Sequence, residues 1–523
     1  MTDDELLLKL DDSTRNATRH QLDTLRSILD QNGTVLYLQP YLPPHDAPLD
    51  AATFRRSVPL SSYDDYADLI NQMADSPRHH HQPLLSVDPL VCFFYSSGTS
   101  SPRPKLIPYF DSKLSKAASY IAHQGSAAIL KRLFPPRPTV NKILWFIYAD
   151  NVRTTRGGVK VMAASTYPLQ SGNANWSQLS FIVSPREVIL GSNAEHQMLD
   201  QSVLPLESKW EQLCHDLEHG FPSLEISDVA MRNSVVEVLG GPQLDLAKRV
   251  RSVFEEKSRG GIVSKLWPNV RYVRCVTTGS MEQYYPKLKH YAGEIPLLGG
   301  DYFASECCVG INLDIMQPPE KTRFVLLPTA AYLEFLPFDM NETDAAGKET
   351  VDISGVEVGK MYEVVVTTYR GFYRYHLGDI VRVVGFYNLS PQVEYVMKAP
   401  KGPNEIITEK DLMSAIHKFQ LDLGNAMEME IAEFASFVDM ELSPKQLKVF
   451  VEVEEGCLSL MQEKIEESIV VLRRFCSSLE DGLGGIYRVQ RDRGESGPLL
   501  LYVVKPGSFD RTITGSHQEW STS

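Results

Sequence analysis

Three short stretches carry residue types suited to phosphates, a divalent cation and a sugar diol. The first is Phe94-Tyr95-Ser96-Ser97-Gly98-Thr99-Ser100-Ser101-Pro102-Arg103-Pro104-Lys105, an apolar strand running into five hydroxyl residues around one glycine, then two cations. Hydroxyls and free backbone amides of a Gly-containing turn cradle phosphate oxygens, and a following lysine adds charge. The spacing G-x-x-x-x-G-K-[ST] is absent, so this is no P-loop. The competing reading is a Ser-rich surface turn. The second stretch is Gly300-Asp301-Tyr302-Phe303-Ala304-Ser305-Glu306, where a carboxylate beside a hydroxyl can hold magnesium while a ring stacks on a base. In the third, Tyr373-Arg374-Tyr375-His376-Leu377-Gly378-Asp379, the carboxylate at the mouth of an apolar strand can accept both hydroxyls of a ribose. A fourth, Thr277-Thr278-Gly279-Ser280, closes a strand and opens a helix. Taken singly, each is also a plausible structural turn.

The elements that must position these stretches read as mixed α/β. The first thirty residues form a helical pattern, with Asp3 and Asp4 able to cap its start and Asn32-Gly33 to stop it. Apolar runs at Leu90–Tyr95, Ile143–Tyr148, Val270–Thr277, Arg323–Leu327, Tyr362–Thr368 and Ile380–Val384 predict buried strands. Helical stretches at Ser112–Leu133 and Met281–Ala292 lie between them. Such alternation predicts a largely parallel, covered sheet. Near Lys398 the pattern changes. Lys398-Ala399-Pro400-Lys401-Gly402-Pro403 reads as a linker. Beyond it lie helices at Glu409–Leu423 and Leu460–Ser478 and strands around Phe434–Val438, Val449–Val453 and Leu499–Val504. The expected division is a large domain over 1–397, a hinge at 398–403 and a small α+β domain over 404–523.

Composition narrows the function. With 523 residues, 43% hydrophobic and 23% charged, the chain is an ordinary globular one of several domains. Its net charge of −14 supplies no basic face to displace counterions, so no nucleic-acid partner is expected. Seven cysteines without a C-x-x-C pair predict free thiols, neither a disulfide framework nor a zinc site. His79-His80-His81 lies in a Pro-flanked polar stretch and reads as a solvated loop. The acidic start lacks the basic region of a signal peptide, and no run approaches the roughly 18 apolar residues of a membrane span. The expectation is a cytoplasmic protein, a monomer or weak dimer, that does not engage membranes.

In this order, the hydroxyl-rich loop, the Thr-Gly-Ser turn, the aromatic-x-Ser-Glu stretch and Tyr-Arg-x-x-Gly-Asp before a small last domain resemble the adenylate-forming enzymes of the luciferase type. The likeness sharpens to the plant acyl-acid amido synthetases of the Gretchen-Hagen family, which conjugate jasmonate, auxin or benzoates to amino acids. It is carried by Asn16–Leu38, Ser96–Pro108, Glu255–Trp267, Thr277–Leu297, Ser305–Leu313, Tyr332–Pro337, Tyr362–Asn388 and Val503–Phe509. The most specific pieces are TGSMEQYYPKLKHYAG, which leans slightly toward the jasmonate-conjugating members, and GFYRYHLGDIVRVVGFYN.

The resemblance implies an α/β large N-terminal domain of adenylate-forming type with a small mobile C-terminal α+β domain. It implies ATP and Mg²⁺ as cofactors, and a carboxylic acid and an amino acid as substrates. Ser96, Ser97, Thr99 and Ser100 would grip the phosphates, with Ser97, Thr99 and Glu306 carrying catalysis. Tyr302, Phe303, Ala304 and Ser305 would line the adenine and phosphate side, Glu306 would hold Mg²⁺, and Asp379 would bind the ribose. Gly157-Gly158 and Val159–Thr166 would shape the acyl and amino-acid pockets, through Val159, Ala164, Ser165 and Thr166. Glu306 and Asp379 are both expected at the cleft rather than in the core.

The sequence also departs from the family. Phe303 and Ala304 stand where the family has a small residue and a hydroxyl. The chain is short between Glu195 and Trp210, where a strand and helix are expected around Gln197–Leu206. A Gln-Tyr-Lys-x-Pro-Arg segment, whose lysine would reach the reacting groups, does not follow the strand at Leu499–Val504. Two readings therefore stand: an ATP-dependent ligase, or a shortened, catalytically weak relative that binds or regulates.

Overall fold

The computed structural model describes residues 2–42, 50–76, 82–96, 105–137, 142–145, 152–170, 181–190, 203–222, 226, 228–256, 258–339, 348–399, 407, 409–427, 431–439, 442–453 and 465–509. The expected histidine triplet lies outside them, as do residues 97–104 of the hydroxyl-rich loop and 400–403 of the linker.

The first thirty residues fold as two helices, Asp3–Arg15 and Ala17–Asn32, broken at Asn16. The cap is Thr2 rather than an aspartate: its hydroxyl accepts from the Glu5 amide while the Glu5 carboxylate accepts from the Thr2 amide. Asp3 and Asp4 fill the first turn, where the helix dipole favours them. Ser112 caps the Lys113–Leu133 helix, which occupies the Ser112–Leu133 stretch that the sequence predicts to be helical.

Strands β1 (Leu90–Tyr95), β2 (Leu106–Phe110), β3 (Arg153–Thr154) and β4 (Lys160–Met162) form a four-stranded sheet ordered β2-β1-β4-β3. Strands β5 (Val273–Cys275) and β6 (Leu297–Gly299) make a parallel pair. The largest sheet is built from β7 (Tyr302–Phe303), β8 (Cys308–Ile311), β9 (Phe324–Leu326), β10 (Tyr332–Phe338), β11 (Met361–Thr367), β12 (Tyr375–Tyr387) and β13 (Ser390–Lys398). Its order is β10-β11-β12-β13-β9-β8-β7, and every neighbouring pair is antiparallel.

That corrects the expectation of a largely parallel sheet. Continuous apolar runs mark strands covered on both faces, and such strands are commonly parallel. Here the covered strands belong to an antiparallel sheet in which β11, β12 and β13 follow one another through short turns. Helices Ala17–Asn32 and Lys113–Leu133 pack against β10 and β8. Phe54, Tyr66, Phe93, Phe335, Phe372, Tyr373 and Tyr375 are fully buried in the main core.

A second core centres on Phe419, Leu447, Val449, Val451, Leu479 and Tyr487. It joins helices Glu409–Met427, Ile465–Gly482 and Gly484–Asp492 to the sheet β14 (Ile431–Asp439), β15 (Gln446–Val453) and β16 (Leu500–Val504). No helix among the described residues is long and apolar enough to cross a membrane.

Candidate active site

Asp379 sits just after Gly378 in β12. Opposite β11 the register jumps between Glu363 and Val365, so Leu377-Gly378-Asp379 bulges. Gly378 has φ +73°, a left-handed conformation that side chains resist. Bulges of this kind re-aim a side chain at the end of a strand. Across β13 the bulged residue pairs with Lys398.

The carboxylate is 4% exposed and doubly partnered. Tyr302, from β7, donates to Oδ2 at 2.7 Å, and the Lys398 ammonium lies 2.6 Å from Oδ1. A carboxylate has about four lone-pair positions, so one on each oxygen remains for a ligand. Burial raises the Tyr302 phenol well above its usual range, and the adjoining Asp379 charge adds to the effect. Tyr302 is therefore a fixed donor that keeps Asp379 in register.

Glu306 lies nearby, 8% exposed. Burial raises its pKa above the usual carboxylate value, with the Lys398 and Lys105 ammoniums opposing the shift. The Tyr375 phenol is held protonated, first by burial and then by the Glu306 charge beside it. Glu306 and Asp379 thus stand buried among fixed donors and cations.

The hydroxyl-rich loop is rooted at this cluster. Ser96 and Lys105 close the β1–β2 hairpin: the Ser96 amide donates to the Lys105 carbonyl at 3.0 Å, and the Lys105 amide donates to Ser96 Oγ at 3.0 Å. Ser305 Oγ donates to the Tyr95 carbonyl at 3.0 Å, tying the loop's root to the Ser305-Glu306 turn. Ser96 is thereby used as a hairpin clasp. Ser97, Thr99 and Ser100 lie outside the described residues.

Phe303 is 40% exposed and meets the His123 ring edge-on at 4.6 Å, while the Ala304 amide donates to the Cys307 carbonyl at 2.9 Å. The Thr-Gly-Ser turn follows β5, and Gly279, at φ +65°, lies so close to Tyr395 of β13 that a Cβ would stand 3.3 Å from the ring. The segment after Gly157-Gly158 enters β4, which runs parallel to β1, so residues 163–166 emerge on the same side as Tyr95-Ser96. Val159 and Thr166 are buried, Ala164 packs against the main core and Ser165 is exposed. Thr166 Oγ1 donates to the Ala163 carbonyl at 2.9 Å, a local turn bond.

Three residues at or beside the motifs were given no such place by the sequence. Lys398 reads there as the start of a linker, yet it pairs with Asp379. Counting the two strands outward from the Asn388 turn would have placed them opposite each other. Arg374, inside the third motif, points away from the site. Its guanidinium donates to both oxygens of the buried Glu334 at 2.9–3.2 Å, to Thr350 Oγ1 at 3.0 Å, and to the Val58 and Arg55 carbonyls. Arg370, just before that motif, has its guanidinium over the rings of Phe94 and Tyr109.

A large α/β body, a buried Tyr-Asp-Lys-Glu cluster beside a hydroxyl-rich hairpin and a separate α+β unit together describe an acyl acid amido synthetase fold. The solved GH3.15 acyl acid amido synthetase superimposes on 99% of this chain and 92% of its own, with a TM-score of 0.80 and 26% identity. The chain matches the GH3 family N-terminal domain over residues 6–204 and 198–297, the central domain over 324–398 and the C-terminal domain over 410–518. It is 43% identical over 387 residues to a probable indole-3-acetic acid-amido synthetase of Oryza sativa, covering 67% of this chain and 78% of that one. It is 31% identical to an indole-3-acetic acid-amido synthetase of Arabidopsis thaliana, over 97% of this chain and 90% of the relative. A jasmonoyl–L-amino acid synthetase of Oryza sativa is 30% identical over 96% of this chain and 90% of its own. The chain belongs to the GH3 family.

Proposed function

We propose that this protein is an ATP-dependent acyl-acid amido synthetase, a ligase that joins a hormone-type carboxylic acid of the indole-3-acetate or jasmonate class to an amino acid. A carboxylate oxygen attacks the α-phosphorus of ATP, forming the acyl-adenylate and expelling pyrophosphate. The amino group then attacks the acyl carbon, AMP leaves with the bonding pair, and the amine's proton passes to solvent. Oxide is a prohibitive leaving group from a carboxylate and AMP a good one, so positioning and charge stabilisation supply most of the catalysis.

The observation that carries this reading is the buried cluster of Asp379, Tyr302, Lys398 and Glu306 beside the root of the hydroxyl-rich loop. Asp379 binds the ribose diol with its two remaining lone pairs, held still by Tyr302. Tyr302, Phe303, Ala304 and Ser305 line the nucleotide. Ser96, Ser97, Thr99 and Ser100 form the phosphate cradle, with Ser97 and Thr99 contacting the transferred group. Val159, Ala164, Ser165 and Thr166 border the acyl and amino-acid side.

A magnesium ion suits the donor set. Such ions take one or two protein carboxylates plus substrate phosphates, and Glu306 offers one such carboxylate. Bound at Glu306, it would neutralise phosphate charge and make pyrophosphate a better leaving group. The division into a large domain (1–397), a hinge (398–403) and a small domain (404–523) belongs to the same reading, supported by the two separate cores. Lys398 then stands both at the hinge and in the site.

The test is ATP–pyrophosphate exchange with jasmonate, indole-3-acetate, benzoate and salicylate, followed by mass spectrometry of the product with a mixture of amino acids. Acid-dependent exchange and an acyl-amino acid product are the expected results. No exchange from folded, ATP-binding protein would overturn the assignment.

A further inference from the structure

The third motif contains a histidine, His376, that the nucleotide reading leaves unassigned. Its ring points away from the site. Antiparallel partners share a face, and His376 pairs with Val365 while Tyr375 pairs with Val366. Tyr375 carries its phenol to Glu306, so His376 lies on the reverse face of the sheet.

The backbone on each side of the β12 bulge is held. Upstream, the His376 amide donates to the Ser61 carbonyl at 2.8 Å, and the Ser61 amide donates to the Arg374 carbonyl at 2.9 Å. Downstream, the Ala399 amide donates to the Gly378 carbonyl at 2.8 Å, and Ile380 pairs with Glu363 on one side and Met397 on the other. A Cβ built on Gly378 would meet no atom within 4 Å, so packing at the apex does not fix the bulge. That task falls to the flanks.

On the reverse face the flanks are tied to each other. His376 Nδ1 lies 3.0 Å from Oε1 of Glu363, and Glu363 stands opposite Ile380, the residue after Asp379. The pair therefore crosses the bulge diagonally, from the residue before it to the position facing the residue after it. The two side chains are 30% and 15% exposed, so solvent screens them less than a surface pair.

Three charged groups face the ring: Glu363 from β11, Asp65 from the Asp64–Asp75 helix and Arg374 from the segment before β12. Burial lowers the His376 pKa, but the hydrogen bond and charge of Glu363 raise it by more, aided by Asp65 and opposed by Arg374. The net result is a rise above 6.5. The strap is thus fully present below pH 6.5 and is lost as pH rises through the raised folded-state pKa.

We propose that His376 is a positioning residue for the nucleotide: its charged ring, clasped by Glu363, holds the β12 bulge so that Asp379 on the site face meets the ribose diol. Loosening the strap costs the diol contact and leaves the phosphate end alone. The proposal deepens the nucleotide reading and rests on Asp379 as the ribose acceptor.

The experiment titrates the full-length parent chain calorimetrically with ATP and with 2′,3′-dideoxy-ATP at pH 6 and pH 9. Both nucleotides carry the same triphosphate, so its own ionisation cancels in the ratio of their dissociation constants, which isolates the diol. In the parent, the preference for ATP should fall by about threefold or more between the two pH values, part of the worth of a hydrogen bond to a charged group. His376→Gln, which keeps a donor but no charge, should show the low preference at both pH values, and so should Glu363→Gln. His376→Arg, charged throughout, should keep the high preference at pH 9. Thermal melting identifies the folded variants, and the parent's own pH profile needs no substitution. A preference independent of pH in the parent would overturn the proposal. So would equal weakening of both nucleotides in His376→Gln, the mark of a merely structural residue. Asp379→Asn is measured alongside. If it abolishes the preference while the His376 variants do not, the positioning role alone fails; if it leaves the preference intact, the ribose reading fails and the proposal with it.

Discussion

Replacing Asp379 with asparagine isolates the ribose contact. The amide keeps the shape of the carboxylate, and its oxygen can still accept from Tyr302, so the 2.7 Å bond that fixes β7 against β12 is retained. The ion pair with Lys398 is lost and the amide NH2 faces the ammonium instead, but that ammonium is 32% exposed and can turn to water, so the stability cost is about 1–3 kcal/mol. The ligand also loses a contact. A bound ribose would use one lone pair on each oxygen, and the substitution turns one acceptor into a donor. A hydrogen bond to a charged group is worth about 1.5–3 kcal/mol, which corresponds to roughly 10- to 150-fold in Kd for ATP. The assay is calorimetric titration of the parent and Asp379→Asn proteins with ATP and with 2′,3′-dideoxy-ATP. If Asp379 holds the diol, the dideoxy nucleotide binds the parent weakly and the substitution barely weakens it further. A loss of equal size for both nucleotides, or ATP binding as tight as in the parent, would refute the reasoning.

Glu306→Gln should stabilise the unliganded protein in a pH-dependent way. The folded-state pKa of Glu306 is raised above its ordinary value of 4.5, so its contribution to stability is fully present below that value and is lost as pH rises through the folded pKa. Melting temperatures at pH 5 and pH 8 should therefore converge in the variant, and ATP-dependent exchange should fall even though the protein is more stable; parallel pH profiles for parent and variant would contradict this. Arg374→Ala leaves Glu334 buried at 1% exposure without its cation, for about 3–5 kcal/mol of destabilisation in urea unfolding. The double change Arg374→Met with Glu334→Leu should recover much of that, and no recovery would mean the pair acts otherwise. Gly378→Ala meets no atom within 4 Å and carries only left-handed strain of about 1–2 kcal/mol. It should weaken ATP binding by shifting Asp379 while the protein stays folded, whereas Gly371→Ala, which strikes the Leu85 carbonyl, should markedly reduce soluble yield.

The sequence was most readable where chemistry is local. A strand ending in Ser-Ser-Gly-Thr, an aromatic stretch ending in Ser-Glu, and Gly-Asp at a strand mouth mark phosphate, metal and sugar preferences without regard to the rest of the fold. The Lys113–Leu133 helix and β1 as a strand are of the same kind, because their signals lie in the local pattern of apolar residues. Strand sense was misread for a related reason. Apolar continuity reports burial of both faces, and burial alone does not say which way a neighbouring strand runs.

Side-chain direction inside a motif was the other thing the sequence hid. Arg374, just before β12, and Asp379 within it are only a few residues apart, yet one enters a structural ion pair and the other the site.

What the sequence determined by itself is the order of the motifs, the residue types available to each and the presence of a second small unit, since these depend on neighbours along the chain. Tertiary structure decided that Lys398 meets Asp379, that Glu306 is buried, that Ser305 clasps the root of the loop and that Arg370 lies over two rings from another sheet. Each of these depends on strand register or on contacts between segments far apart in the chain, and such pairings are fixed only when the sheets assemble.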